Sequence, residues 1–196
     1  AQQPADGYTV LAVTTSHLID AVKPKTRAHI IRDFDPIMRI QWDTTTVFIS
    51  TESKFKTLND LVVYGKKNPR FLKFAGTSPG AWAEIQTVAF FKKLGVEVTF
   101  VPFESGAETK AAILGGHIHG ACEELAETLP LVRAGKLKAL AVIMEKRHPA
   151  LPDVLCTPEL GIDYTHGLMR AWAVKKGTPP DRIKYCLLYT SDAADE

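Results

Sequence analysis

The chain has 196 residues, 45% hydrophobic and 23% charged, with 24 basic and 22 acidic residues giving a net charge of +2. That size suits one large domain or two small ones, and that balance gives no electrostatic case for binding nucleic acid. No apolar run approaches the ~20 residues of a membrane span, and three cysteines without metal spacing suggest neither a disulfide framework nor a zinc site. The elements can be taken in order. "TTVFIS" (45–50) predicts a β-branched strand, and "KTLNDLVVYGKKNP" (56–69) predicts an amphipathic helix with Thr57 as N-cap and Asp60 three residues on. Strand 71–75, helix 80–94, strand 96–103, helix 106–116, strand 118–123, helix 125–136 and strand 137–144 follow. Strands alternating with helices of this length predict βαβ units and a parallel sheet. Ligands of such sheets bind at the carboxyl ends of the strands. The turns at that edge are "AGTSPG", "PFESGAE" and "CEELAE". The chain opens without an initiator Met or a signal peptide, which reads as a processed form or a fragment.

Gly76-Thr77-Ser78-Pro79-Gly80 spells the G-x-S-x-G of a serine-hydrolase elbow, set between a strand and a helix. Asp153 or Asp163, then His166, supply the remaining triad members in the right order. Pro79 argues against this reading. The oxyanion hole of an elbow uses the backbone N–H of the residue after the nucleophile, and proline has none. Losing one oxyanion donor costs about 3–4 kcal/mol of transition-state stabilisation. Proline at a first helical position is ordinary turn chemistry. A helix start beside two hydroxyls is also a ready anion site. No lysine follows in Walker-A spacing, so a nucleotide is not indicated.

Taken together, the motifs resemble a family. "PADGYTVLAVTTS", "DFDPIMRI", "FKTLNDLVVYGKKNP", "FAGTSPG", "VPFESGAETKAAILGGHI", "LPLVRAGKLKALAV", "KRHPALPDV", "TPELG" and "WAVKKGTP" occur in the order seen in the extracytoplasmic solute receptors of tripartite tricarboxylate transporters, the Bug receptors. The ordered set, over residues 1–184, carries the resemblance. It implies a two-lobed α/β periplasmic-binding-protein fold with parallel-sheet βαβ lobes. It also implies a monomeric, non-catalytic receptor without cofactor, which closes around a small carboxylate (a di- or tricarboxylate, an amino acid or an aromatic acid). Such a receptor delivers its ligand to the transporter's membrane components. An α/β serine hydrolase using Ser78 is the alternative.

The family's signal peptide, first strand and "P-P-G-G" loop have no counterpart here, so the first lobe reads as incomplete. The end, "CLLYTSDAADE", resembles translated library-adapter sequence. The resulting division is 1–46 for part of the first lobe, 47–144 for the second lobe, 145–185 for a return to the first, and 186–196 for a non-structural tail.

Ligand contacts from the second lobe are expected from Thr77, Ser78 and the N–H groups near Gly80, then from Ser105 and Gly106 at the next helix start. From the first lobe, Thr14, Thr15 and Ser16 occupy a turn that contacts ligand in the family; capping of the helix from His17 is compatible with that. Trp172 matches a family aromatic near the cleft, or packs in the core. Arg170 either pairs with a ligand carboxylate or sits in a solvated ion pair. Glu123 and Glu124 would repel an unaccompanied carboxylate, but can accept from a ligand hydroxyl or ammonium; equally, they can stabilise a helix N-terminus. Trp82 either walls the site or belongs to the core. His117 and His119, two apart on a predicted strand, share a face but lack a third metal ligand.

Overall fold

A computed structural model describes residues 2–23 and 29–191, with side chains through Leu187. The chain divides into two compact units, Asp43–Leu168 and the pair of segments Ala1–Trp42 and Met169–Glu196.

The larger unit is a sheet with helices on both faces. Its strands are the second half of β2 (Phe34–Ser50), β3 (Leu72–Thr77), β4 (Val98–Phe103), β5 (Gly120–Glu124) and β6 (Leu137–Ile143), in the spatial order β6-β2-β5-β3-β4. The crossover helices are α3 (Leu58–Lys67), α4 (Trp82–Lys93), α5 (Gly106–Leu114) and α6 (Leu125–Arg133). β3 runs parallel to β4 and β5, as the βαβ pattern predicts. β2 differs: it is antiparallel to both β5 and β6, so the sheet is mixed rather than wholly parallel. The physical reason is its origin. β2 enters along its own axis from the smaller unit, without a right-handed helical crossover to turn it parallel.

Every residue of β2 from Asp43 to Ser50 is buried. Val47 and Ile49 face one side, where Phe74, Phe90, Phe91 and Leu61 form the principal core under α3 and α4. Phe48 faces the other, with Leu125, Ala139 and Val142. This is the period of two that a strand buried on both faces requires. Gly120 is fixed by the same crowding, because a Cβ there would strike the Phe48 carbonyl of the neighbouring strand. α3 starts with the predicted capping box. Thr57 Oγ1 accepts from Asp60 N at 3.1 Å, and the Asp60 carboxylate accepts from Thr57 N at 2.9 Å.

Residues 145–168, read from sequence as returning to the first lobe, pack with the larger unit. Val142 bridges Cys156, Leu151 joins the α6-side core and Ile162 joins the principal core. Their scattered apolar residues have no helix or strand period, so their destination was not legible.

In the smaller unit, β1 (Val10–Thr14) pairs antiparallel with β7 (Gly167–Lys175), and β7 lies between β1 and β2. α1 (Thr15–Ala21) and α2 (Ile30–Asp33) follow β1 in the chain. Val13, Ala171 and Ala173 form a small core. α7 (Pro180–Ser191) continues through Cys186–Ser191, which the sequence reading had set outside the fold; residues 192–196 of that tail, and residues 24–28 of the first segment, lie outside the described residues.

Candidate functional site

The parallel strands of the larger unit end together at Thr77, Phe103, Glu124 and Ile143, and β2 enters at the same edge, Thr45 pairing with both Glu124 and Ile143. Six of the sequence-predicted residues are gathered there: Thr77, Ser78, Gly80, Ser105, Gly106 and Glu123.

The β3–α4 turn is built on two left-handed residues, Ser78 (φ 58°) and Gly80 (φ 68°), closed by Ala81 N donating to Ser78 O at 3.1 Å. A serine at positive φ is uncommon and marks a turn held in shape by its surroundings. Among the described residues the Thr77 and Ser78 hydroxyls have no hydrogen-bond partner, and Ser78 is exposed. Ala81, the N-cap of α4, offers no side-chain cap. Instead the Glu84 carboxylate folds back and accepts from Gly80 N at 2.7 Å. An intramolecular carboxylate therefore already sits where the turn presents an N–H, which shows that this turn accommodates such a group.

Trp82, the first residue of α4, is buried and stacks edge-on against His166 at 4.6 Å, and His166 in turn lies 5.4 Å from Tyr164. Burial lowers the His166 pKa and keeps the ring neutral at pH 7. His166 therefore lines the aromatic wall behind the turn, and no hydrogen bond joins it to Ser78. Asp163 is fully exposed and 3.9 Å from Lys93. The Ser–acid–His assembly that the hydrolase reading needs is not formed.

The β4–α5 turn differs. Ser105 Oγ caps α5, accepting from Glu108 N at 3.3 Å. One helical turn on, Lys110 reaches back to the helix start, with Nζ 3.3 Å from Gly106 O, 3.6 Å from Glu123 Oε2 and 3.8 Å from Glu127 Oε2. Gly106 makes room for that head group: an added Cβ would stand 3.1 Å from Lys110 Nζ. Glu123 is 7% exposed, and its pKa is raised by burial against the opposing pull of Lys110. Glu124 is pushed up to about 7, first by burial and then by the like charges of Glu127, Glu123 and Asp43. Buried Gln86 ties these strands together, accepting from Thr45 Oγ1 at 2.9 Å and donating to Cys122 O at 3.0 Å.

The smaller unit places Thr14, Thr15, Ser16 and Arg170 at one end of the β1–β7 ladder, where Thr14 is level with Arg170. Thr14 N and Oγ1 lie 3.1 and 3.2 Å from His17 Nδ1, and Thr15 Oγ1 accepts from Met169 N at 3.0 Å. Trp172 is half-buried and lines an apolar cavity of about 440 Å³ with Val13, Ile30, Phe34 and Met169. His117 and His119 precede β5 rather than lying on it, and His119 Nδ1 accepts from Lys73 N at 3.0 Å. Among the described residues no cluster has the makings of a metal site.

Lys110 and Glu127 were missed from sequence, although Lys110 stands at the i+4 position that faces Gly106 on a helix. Nothing local in the sequence links His166 to Trp82.

A profile of the tripartite tricarboxylate transporter family receptors matches residues 1–189. Among curated relatives, a UPF0065 protein encoded in the gbd 5' region of Cupriavidus necator is 28% identical over 91% of this chain and 54% of its own length. BugT of Bordetella pertussis is 25% identical over 93% and 57%. The chain thus spans about half the length of the curated relatives it matches. An R. palustris protein solved with adipate superposes with a TM-score of 0.87 at 26% identity, covering 94% of this chain and 62% of that one. A TctC solute-binding protein from Polaromonas gives 0.74 at 26% identity, covering 99% and 66%.

Proposed function

The chain belongs to the tripartite tricarboxylate transporter receptor family, and from that premise we propose that it is the recognition part of an extracytoplasmic receptor for a small organic acid. The observation that carries the reading is the β3–α4 turn. Two hydroxyls without partners among the described residues, a left-handed serine and a helix start meet at the carboxyl ends of the parallel strands, where such folds take their ligands. Carboxylate oxygens accept from the hydroxyls of Thr77 and Ser78 and displace Glu84 from Gly80 N. The helix dipole contributes up to about 1–2 kcal/mol there without a full countercharge. The candidate contacts of the smaller unit, taken by itself, are Thr15, Ser16 and Arg170, with Thr14 holding the start of α1. The adipate held by the R. palustris relative supports the acid class.

Binding is not followed by turnover. The hydrolase reading has no support, since Pro79 removes an oxyanion donor and the triad is not assembled. Periplasmic residence, a monomeric state and hand-over to the transporter's membrane components complete the proposal, and family membership supports them.

A thermal-shift screen of the full-length protein against di- and tricarboxylates, amino acids and aromatic acids tests it. A ligand at a hundredfold over its Kd adds about 2.7 kcal/mol, or several degrees in Tm. A folded protein that no acid stabilises, but that cleaves an ester in a Ser78-dependent way, would overturn the reading.

A further inference from the structure

The larger unit has a second polar recess, at the edge opposite the carboxyl ends of its parallel strands. There β2 ends at Ser50, β3 and β5 begin, and α5 stops at Leu114. These ends border a cavity of about 420 Å³, within the range of small-molecule sites.

Its polar side chains are nearly all donors. Lys54 Nζ lies 4.5 Å from the centre of the Tyr64 ring and 5.1 Å from that of Phe55, and no carboxylate pairs with it among the described residues. An ammonium resting on two ring faces is held in place without being neutralised. His119 is the second donor. Its Nδ1 accepts from Lys73 N at 3.0 Å, which leaves Nε2, across the ring, to carry the proton. Among the described residues Nε2 has no hydrogen-bond partner. Burial, and then the positive charge of Lys54, lower the His119 pKa and keep the ring neutral at pH 7. Ser50, 6% exposed, and half-buried Ser53 complete the set. Their hydroxyl oxygens accept from Glu52 N and Phe55 N at 3.2 Å each, and their protons have no acceptor among the described residues. Glu52, the acid of the rim, is exposed to solvent, and the charges that act on His119 are both lysines, Lys54 and Lys73.

The rest of the lining is of another kind. Phe55, whose ring centre is 5.9 Å from that of His119, supplies buried apolar surface together with Ile113 and Ile118. α5 brings its carboxyl end, where the carbonyl dipoles disfavour negative charge. An anionic group is therefore favoured on the Lys54–His119 side alone, and the remainder of a ligand has to be uncharged.

We propose that this recess is a second ligand site, which takes a small monocarboxylate with an apolar body. The carboxylate lies between Lys54 and His119, and the body lies against Phe55 and the end of α5. The assignment does not rest on the hydroxyl turn at the other edge.

Residue-resolved amide NMR of the full-length protein, titrated with hexanoate, hexanamide and sodium sulfate, tests it. Hexanoate should shift the Phe55, Gly115 and Gly116 amides saturably. Lys54→Met should weaken that binding about tenfold, the worth of one hydrogen bond to a charged group, while Lys54→Arg retains it. Hexanamide, which keeps the body and loses the charge, and sulfate, which keeps a charge and has no body, should both bind more weakly. Equal binding of hexanamide, or shifts that survive Lys54→Met, overturn the carboxylate assignment. Equal binding of sulfate overturns the apolar body in favour of unselective attraction to Lys54. Hexanoate shifts confined to the Thr77–Gly80 turn, or no saturation at Gly115 and Gly116, overturn the site and leave the receptor reading standing.

Discussion

The starts of α4 and α5 lie at the same sheet edge and follow the same kind of turn, yet they use their polar groups differently. At α5, Ser105 caps the helix with its own hydroxyl and Lys110 is held in an ion-pair cluster. At α4 the hydroxyls of Thr77 and Ser78 make no hydrogen bonds among the described residues, the N-cap is an alanine, and Glu84, in the first turn of the helix, covers Gly80 N. The first arrangement satisfies the fold. The second leaves it partly unsatisfied, at a backbone position that costs stability, and that is where a ligand has something to gain.

The contrast is sharpened most by Lys110→Met. It leaves buried Glu123 without its cation, and urea unfolding at pH 8 should report a loss of about 2–3 kcal/mol. Burial raises the folded-state pKa of Glu123 above its unfolded value, and removing Lys110 raises it further. The folded state then holds the proton more tightly than the unfolded one, so stability recovers as pH falls and the penalty should shrink by pH 5. An unchanged penalty at both pH values would mean the cluster acts by packing and not by charge.

Ser78→Ala should lower ligand affinity by about 1–2 kcal/mol, read by calorimetry, with stability almost unmoved. Ser78→Gly should show the opposition more plainly: affinity falls likewise, while relief of the positive φ raises stability by about 0.5 kcal/mol. Ser105→Ala is expected to behave in the reverse sense, costing about 1 kcal/mol of stability through the lost cap, with a smaller effect on affinity than Ser78→Ala. If Ser105→Ala reduced affinity more than Ser78→Ala, the two turns would have to exchange roles. The smallest effect belongs to Glu84→Gln, a stability loss of about 0.5 kcal/mol at low ionic strength, through the weakened interaction with the α4 start.

The parts legible in the sequence are those whose signals are local. Thr57 and Asp60 announce α3 three residues apart, and the alternation from residue 71 to 124 delivers β3, α4, β4, α5 and β5 with ends shifted by only a few residues. What was not legible depends on distant partners. "DFDPIMRIQW" carries a proline and alternating polar residues that do not announce the first half of a 17-residue strand, and the direction of β2 is set by where it comes from. The hydroxyl turn and the acidic end of the edge could be named from sequence, because strand ends in a βαβ pattern fall at one edge. The Lys110 bridge and the Trp82–His166 stack could not, since each needs two helices or a helix and a loop to meet.

β2 also sets an order of assembly. In the larger unit it is an interior strand, and both of its neighbours, β5 and β6, come after α5 in the chain. Its eight buried residues have nothing to pair with until those strands exist. During synthesis they form a segment rich in β-branched residues that awaits its ladder, and long-range pairing of this kind is slow. A nascent chain that ends before Leu137 holds β2 as an open edge and is the species most prone to aggregate. Completion of β6 closes that edge, and residues 145–168 then complete the two cores.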